Sequence, residues 1–262
     1  MKITSLLENT SHRGDMLTEH GLSLYIETKA HKILFDMGQS DAFAKNAAAL
    51  GIDLSEADFA VVSHGHYDHG GGLAKFLKIN SRAPVYIMRD AFLPHYNAKE
   101  KYIGLDAPLA SHPRLIFTDN INGKFSIADG ITLFSCNALE RPHAFPAFGL
   151  SEEAEGKRAP DKFLHEQYLQ IESDGKRVLF SGCSHKGILN IMEWFSPDVL
   201  VGGFHFSKMP CGNELESTAR SLGAYGTLYY TCHCTGSEQF DFMEKQMKNL
   251  RYLACGESID II

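Results

Sequence analysis

Four potential metal ligands lie close together in the first third of the chain. The stretch VVSHGHYDHGGGL places His64, His66, Asp68 and His69 within six positions, after an apolar run and before three glycines. Side chains of an extended segment alternate between its two sides, so His64 and His66 face the same way and can hold one cation. Asp68 and His69 follow where the chain bends into the next helix and can reach a second cation. Imidazole with carboxylate suits zinc, iron or manganese, so this spacing predicts a metal site.

Histidines in the second half of the chain also follow strand-like segments. His185 comes after VLFSGC, His205 after PDVLVGGF and His233 after TLYYTC. His205 is a candidate substrate contact or proton donor, and a hydrogen-bonded structural histidine is the alternative. Five other histidines belong to no such pattern, and we expect them at solvated positions: His12, His20, His31, His95 and His112.

Cysteine usage indicates free thiols. Six cysteines occur and none forms a CxxC pair, so we expect neither a zinc ribbon nor a disulfide framework in a reducing compartment. Cys232 and Cys234 alternate with His233 along the last predicted strand. Their side chains should therefore point away from the metal and into the core.

Composition restricts the classes of function. Of 262 residues, 44% are hydrophobic and 22% charged, as in soluble globular proteins, and no apolar run is long enough to cross a bilayer. The formal net charge of −7 disfavours the clustered positive charge of a nucleic-acid-binding surface. The N-terminal stretch turns polar after Leu7 and lacks the apolar run of a secretion signal. We expect a cytoplasmic protein that acts on a small molecule and binds neither nucleic acid nor membrane; its oligomeric state stays open.

The elements that must position these residues recur in both halves of the chain. Apolar runs between turn residues predict strands at 2–7, 22–28, 31–38, 57–65, 83–88, 125–136, 167–185, 197–206 and 227–236, of which 125–136 and 167–185 are hairpins turning at Asp-Gly pairs. Helical spacing predicts helices at 40–51, 71–80, 186–195, 213–226 and 237–250. This order implies a layered α/β protein with helices outside the sheets.

Residues 137–163 interrupt the alternation of strands and helices. The segment is rich in proline, glycine and charge and shows no sustained period. Long connections without regular structure are usually functional lids or mobile loops. We therefore expect a lid or insertion loop over the pocket, with a merely mobile loop as the alternative.

The stretch SHGHYDHGGGL, with LFDMG upstream, resembles the signature of the metallo-β-lactamase superfamily. The resemblance extends over essentially the whole chain and implies a single domain, residues 1–262. The fold it implies is an αββα sandwich, two mixed sheets flanked by helices, with a dinuclear metal site along their shared edge. The stretches GCSHKGI, GGFHF, GNELESTA and TCHCTG resemble one branch, the dihydropterin ribofuranosylaminobenzene phosphate synthases. Those enzymes join a dihydropterin unit to an aminobenzene ribose phosphate.

The resemblance implies two sets of metal ligands. His64 and His66 match the first-site pair, and the third first-site ligand is His185, with His165 as the alternative. Asp68, His69 and His233 match the second-site ligands.

The resemblance also implies roles beside the ligand sets for Asp36 and Cys183. Asp36 matches the carboxylate that orients a ligand histidine through its other ring nitrogen; a helix N-terminal cap is the alternative. Most dinuclear members have a bridging aspartate where this chain has Cys183. A thiolate can bridge or bind a metal, and a small buried thiol is the alternative we favour. Without the bridging carboxylate, the second cation is expected to bind more weakly.

The implied activity is that of a metal-dependent enzyme. We expect one or two divalent cations per chain, zinc first, with iron or manganese as alternatives. The substrate expected is a small phosphorylated or pterin-like molecule, and the enzyme is a hydrolase or a synthase-type transferase with Asp68 and His205 as catalytic residues. Aromatic candidates for stacking on a pterin are Tyr67, Phe145, Phe148, Phe204 and Phe206. The alternative is a metal- or ligand-binding sensor with little catalysis, favoured by the missing carboxylate and the six thiols.

Overall fold

The structure, a computed structural model, describes residues 1–119 and 123–261. The strands β1 to β17 in these residues are Lys2–Leu7, Ser23–Glu27, Lys32–Phe35, Phe59–Val61, Val85–Ile87, His95–Tyr96, Leu115–Phe117, Lys124–Ala128, Ile131–Phe134, Ser151–Ala154, Lys157–Pro160, Tyr168–Ser173, Lys176–Phe180, Val199–Val201, Leu228–Thr231, Leu250–Tyr252 and Ser258–Asp260. The helices α1 to α6 are Ala42–Ala49, Tyr67–Gly70, Leu73–Ile79, Ile188–Phe195, Asn213–Gly223 and Ser237–Met243. None of these helices combines the length and the apolar character needed to span a bilayer.

Two seven-stranded sheets have matching designs. The first runs in the order β17-β1-β2-β3-β4-β5-β7 and the second in the order β16-β15-β14-β13-β12-β9-β8. In the first sheet, β3, β4, β5 and β7 are parallel and the other pairs antiparallel. In the second, β13, β14, β15 and β16 are parallel and the other pairs antiparallel. Each half thus has a parallel side, whose strands end at one common edge.

The two sheets pack face to face, and helices cover their outer faces. The inner layer joins both sheets, for example through Phe35 and Phe180, whose ring centroids are 5.7 Å apart. Because side chains alternate along a strand, Leu34 points outward and packs with Phe43 of α1. On the opposite outer face, Leu200 packs with residues of α4, α5 and α6. Each fully buried side chain of this size contributes about 1.5–3 kcal/mol. The expected αββα sandwich of two mixed sheets flanked by helices is confirmed.

Several expected elements end earlier in the structure. The strand expected to reach His205 stops at Val201, because Gly202 adopts φ +146° and takes the chain out of the sheet. The strand expected to reach His233 stops at Thr231, and α6 ends at Met243.

The segment 137–163 is not wholly irregular. Strands β10 and β11 form an antiparallel hairpin that turns at Glu155 and Gly156, both with positive φ. The short strand β6 pairs with β10, which makes a small third sheet. The hairpin strand Lys157–Pro160 is wholly exposed. It therefore lacks the alternating apolar pattern that marks a strand in sequence.

Candidate metal centre

The metal-ligand candidates lie in loops that follow the carboxyl ends of parallel strands. Asp36 follows β3, and His64 follows β4. In the second sheet, His185 follows β13, and His205 and His233 follow β14 and β15. Since these strands end at one edge of the sandwich, residues far apart in sequence meet there.

Asp36 is fully buried and ties two of these loops together. Its Oδ2 accepts a hydrogen bond from His69 Nδ1 at 2.6 Å. The two oxygens also accept from the backbone N–H and the hydroxyl of Ser63, both at 2.7 Å. The carboxylate therefore orients a ligand candidate through its other ring nitrogen, and it does not cap the helix that follows.

The second-site set consists of Asp68, His69 and His233. His69 Nε2 lies 3.2 Å from His233 Nε2, and Asp68 Oδ2 lies 3.3 Å from His233 Nε2 and 3.8 Å from His69 Nε2. His69 Nδ1 donates to Asp36 and His233 Nδ1 donates to Asn9 Oδ1 at 2.7 Å. When both rings are neutral, their Nε2 atoms present lone pairs beside the Asp68 carboxylate, an arrangement that a cation would stabilise. Burial alone would lower the pKa of His69, but the carboxylates of Asp36 and Asp68 raise it above 6.5, so a cation would compete with a proton at this nitrogen.

The first-site set consists of His64, His66 and His185. His64 Nε2 lies 3.1 Å from His66 Nδ1 and 3.3 Å from His185 Nε2. The Ser63 hydroxyl donates its only hydrogen to Asp36, so it accepts from His64 Nδ1 at 2.9 Å. His64 Nε2 thus carries its lone pair toward the other two rings.

Burial keeps the first-site imidazoles neutral. It is the main cause that lowers the pKa of His64, His66 and His185 well below 6.5, and neighbouring imidazoles lower it further. Neutral imidazole is the form that binds metals. Burial also lowers the pKa of His233 to about 4. Burial alone would raise the pKa of Asp68, but the nearby imidazoles outweigh this effect, and the pKa lies well below 3.8.

Cys183 lies between the two sets. Its Sγ is 3.0 Å from His69 Nε2, and it belongs both to a group with His64 and His185 and to a group with His69 and His233, within which ligand atoms lie no more than 4.8 Å apart. Burial raises the pKa of this thiol well above 9.0. A bound cation would displace its proton, since thiolate is the ligand form. The position would allow Cys183 to bind a cation of either set, while the raised pKa also suits the inert buried thiol favoured from sequence, and the choice between the two stays a prediction.

The donor atoms of both sets fit divalent cations. Three imidazole nitrogens, or two with a carboxylate, are the ligand types that zinc and related metals take. The buried Nε2 of His66 and Nδ1 of His185 have no hydrogen-bond partner among the described residues. Burying these two nitrogens without a hydrogen bond is unfavourable. A metal bound by the other nitrogen of each ring, His66 Nδ1 and His185 Nε2, would compensate for it. The assignment of the individual ligands stays a prediction.

His165 does not suit the third first-site position. Its Nδ1 accepts from the backbone N–H of Gly65 at 2.9 Å, and its Nε2 donates to Asp161 Oδ2 at 3.1 Å. With both ring nitrogens engaged, it has no lone pair to offer. His185 is instead directed inward, because its backbone N–H donates to Glu166 at 2.7 Å and its ring stacks on Phe163 at 4.5 Å.

A pocket of about 180 Å³ opens beside the two sets. Its walls include His205, Tyr67, Asn97, Leu150 and Lys208. His205 adopts φ +56°, and its buried Nδ1 lacks a partner among the described residues. The pKa of His205 is lowered to about 3, mainly by burial. The centroid of its ring lies 5.4 Å from that of Phe148.

Two of the aromatic candidates for stacking on a pterin lie away from the pocket. Phe204 and Phe206 are buried in the core under the helices and cannot stack on a substrate.

Three residues near the site were missed from sequence. His20 is exposed, as expected, but it also accepts from Asn9 through Nδ1 and donates to Asp68 Oδ2 at 3.2 Å, a contact with the site that was not predicted. His95, also expected in solvent, is fully buried and lies 3.2 Å from Asp161 Oδ2. Cys234 was expected to point away but lines the pocket. His233 has φ +49° and begins a 3-10 turn, so the alternation of a strand no longer applies.

Known proteins with similar sequences or structures agree with the fold described above. The family model described as the metallo-beta-lactamase superfamily matches residues 18–225. In Methanocaldococcus jannaschii, a 7,8-dihydropterin-6-methyl-4-(beta-D-ribofuranosyl)-aminobenzene-5'-phosphate synthase is 26% identical over 99% of this chain and 96% of its own. An uncharacterized protein of the same organism is 28% identical over 99% of this chain and 100% of its own. The solved structure of Tm1679, a metal-dependent hydrolase of the beta-lactamase superfamily, superposes with a TM-score of 0.85 at 30% identity, covering 100% of this chain and 99% of the other.

The chain combines a metal-dependent hydrolase-like fold with clusters of histidine and aspartate that could hold a metal. The chain belongs to the metallo-β-lactamase superfamily.

Proposed function

We propose that this chain is a metal-dependent enzyme that acts on a small phosphorylated substrate. The observation that carries the proposal is the convergence of His69 Nε2, His233 Nε2 and Asp68 Oδ2, three potential ligand atoms within 3.8 Å of one another, at the wall of a pocket. Cations bound there would supply Lewis acidity toward a phosphoryl oxygen.

The charges around the pocket favour an anionic substrate. Lys208 is an exposed lysine that lines the pocket beside His205. Its positive charge would attract a phosphate group of a substrate bound in the pocket. The pocket volume of about 180 Å³ suits a small group such as a phosphate. Nucleic acid and membrane are not partners in this proposal.

Asp68 is the residue we assign to orienting the attacking group. Its Oδ2 accepts from His20, which is half exposed at the mouth of the site. The lowered pKa keeps the carboxylate ionised, so it can orient an attacking hydroxyl or amine by accepting a hydrogen bond from it. The attacking group decides the reaction class: water would give a hydrolase, and an aromatic amine or carbon would give a synthase like the Methanocaldococcus relative.

The test is a substrate screen with metal-loaded protein. Phosphomonoesters, phosphodiesters, lactones and esters are assayed, together with the condensation of a dihydropterin with an aminobenzene ribose phosphate. We expect turnover of a phosphorylated substrate, its loss in Asp68→Ala with the fold retained by circular dichroism, and wild-type rates in the exposed control His12→Ala. Stoichiometric metal without turnover on any class would instead favour the sensor. Full activity in Asp68→Ala would remove Asp68 from the mechanism.

A further inference from the structure

Three side chains at one wall of the pocket form a group of their own. Cys183, His205 and Cys234 offer ligand atoms that all lie within 4.8 Å of one another. Each comes from a different loop, after β13, β14 and β15. We propose that they form an additional cation site, specific for soft metals such as zinc, cobalt or copper(I), which shares only Cys183 with the two ligand sets described above.

Cys234 is held toward this group by its surroundings. Its Sγ accepts from the backbone N–H of His205 at 3.3 Å and lies 3.5 Å from the carbonyl oxygen of Cys183. A Cβ at Gly203 would meet this sulfur at 2.3 Å. Only glycine at that position leaves room for the thiol. The side chain is 3% exposed, so the sulfur faces the pocket wall rather than bulk solvent.

His205 supplies the nitrogen ligand. Its Nδ1 is buried without a partner among the described residues, and leaving such a group unsatisfied is unfavourable. Its backbone is in the left-handed region at φ +56°, which is unfavourable for histidine and needs support from the surrounding structure. A cation bound by the two sulfurs and one ring nitrogen of His205 would help to hold the ring in this conformation.

The donor set selects the metal. Two thiolates with one imidazole favour zinc, cobalt(II) and copper(I) over magnesium or manganese, which prefer oxygen ligands. The two other sets are rich in imidazole and carboxylate and accept harder cations as well. The three loops correspond to the stretches GCSHKGI, GGFHF and TCHCTG, and His205 has no counterpart among the common ligands.

Cobalt(II) titration of the reduced, metal-free protein tests the proposal, because thiolate ligands give cobalt a charge-transfer absorption in the near ultraviolet. We expect Cys234→Ala to bind one cobalt ion fewer per chain than wild type and to lose part of this absorption. His205→Asn should likewise bind one fewer. Cys232→Ala is the matched control: this neighbouring thiol is fully buried in the core between the sheets, and its removal should change neither quantity.

The readout does not depend on turnover, so a failed substrate screen leaves this test intact. A folded Cys234→Ala protein that binds as much cobalt as wild type, with equal absorption, would overturn the proposal. If Cys234→Ala fails to fold, His205→Asn decides by the same two quantities. Loss of cobalt from the Cys232→Ala control would also count against a site at Cys234, since it would show a general effect of core disruption.

Discussion

At the residue scale, the orientation of the ligand candidates depends on hydrogen bonds behind them. Asp36 fixes His69 directly and fixes His64 through the Ser63 hydroxyl. The chain Asp36–Ser63–His64 decides which nitrogen of His64 carries the hydrogen. A ligand held in the correct tautomer binds metal more tightly, because the alternative tautomer does not have to be displaced.

Ser63→Ala is expected to weaken metal binding by the first-site set about 10- to 100-fold. The variant removes the hydroxyl that accepts from His64 but keeps the backbone N–H bond to Asp36. Competition with a chromophoric chelator measures the change in affinity. Ser23→Ala is the control, since Ser23 is also buried and bonds only the backbone carbonyl of Asp36. Equal affinity in the two variants would show that the hydroxyl does not set the tautomer.

Sequence identified the residues whose local pattern is dense. His64, His66, Asp68 and His69 could be found from spacing alone, and the structure brings them together. His20 and Cys234 could not be found, because their contacts with the site arise from loops that come together only in the folded chain. The direction of the Cys234 side chain also depends on the positive φ of His233, a backbone conformation that the sequence pattern around this histidine does not predict.

At the element scale, the loop between β4 and α2 must pass very close to its neighbour. A Cβ at Gly65, between the first two histidines, would lie 2.3 Å from the backbone oxygen of Ala91. Glycine is therefore required at that position by the close approach of two backbones.

Gly65→Ala is expected to shift this loop and destabilise the protein by about 1–3 kcal/mol. The displaced loop carries His64 and His66, so metal affinity should decrease as well. Urea unfolding and the chelator competition measure the two effects. Gly14→Ala is the matched control, because nothing lies within 4 Å of the added Cβ. A Gly65→Ala protein as stable as the control would mean that the backbone of Ala91 can move away at little cost.

Element boundaries were harder to predict than element types. The Asp-Gly turns gave both hairpins of the second sheet, since these pairs suit tight turns. The strands ending at Val201 and Thr231 were predicted too long, because apolar and small residues continue past the last ladder hydrogen bond. The hairpin at β10 and β11 was missed, since exposed polar strands carry no alternating signal.

At the scale of the whole molecule, buried histidines make stability depend on pH. Burial lowers the pKa of His165 and of His233 from 6.5 to about 4. The unfolded chain therefore takes up protons at higher pH than the folded chain does.

The free energy of unfolding of the metal-free protein should fall as pH decreases from about 6.5 to about 4, by about 1 kcal/mol per pH unit for each of the two histidines. Urea unfolding at about pH 7 and at about pH 5 measures the difference. The exposed His12 provides the control, since His12→Ala should leave the dependence unchanged. Stability that is level or higher at the lower pH would contradict neutral buried rings.

The layered fold could be predicted because its two halves repeat a simple order of strands and helices. The apolar runs around Phe35 and Phe180 are buried on both faces of their sheets, which sequence shows as continuous hydrophobic stretches. The sequence did not predict how the first sheet is positioned on the second. This positioning brings His185 within 3.3 Å of His64, and it depends on packing between residues that are distant in the chain.

The shared carboxylate of Asp36 has an implication for how such a centre can change over time. Its two oxygens accept hydrogen bonds from Ser63 and His69, which support both ligand sets, so a substitution of Asp36 would disturb both sets at once. An inherited change here would be expected to disable the pair together, whereas drift at His185 or His233 would affect them separately.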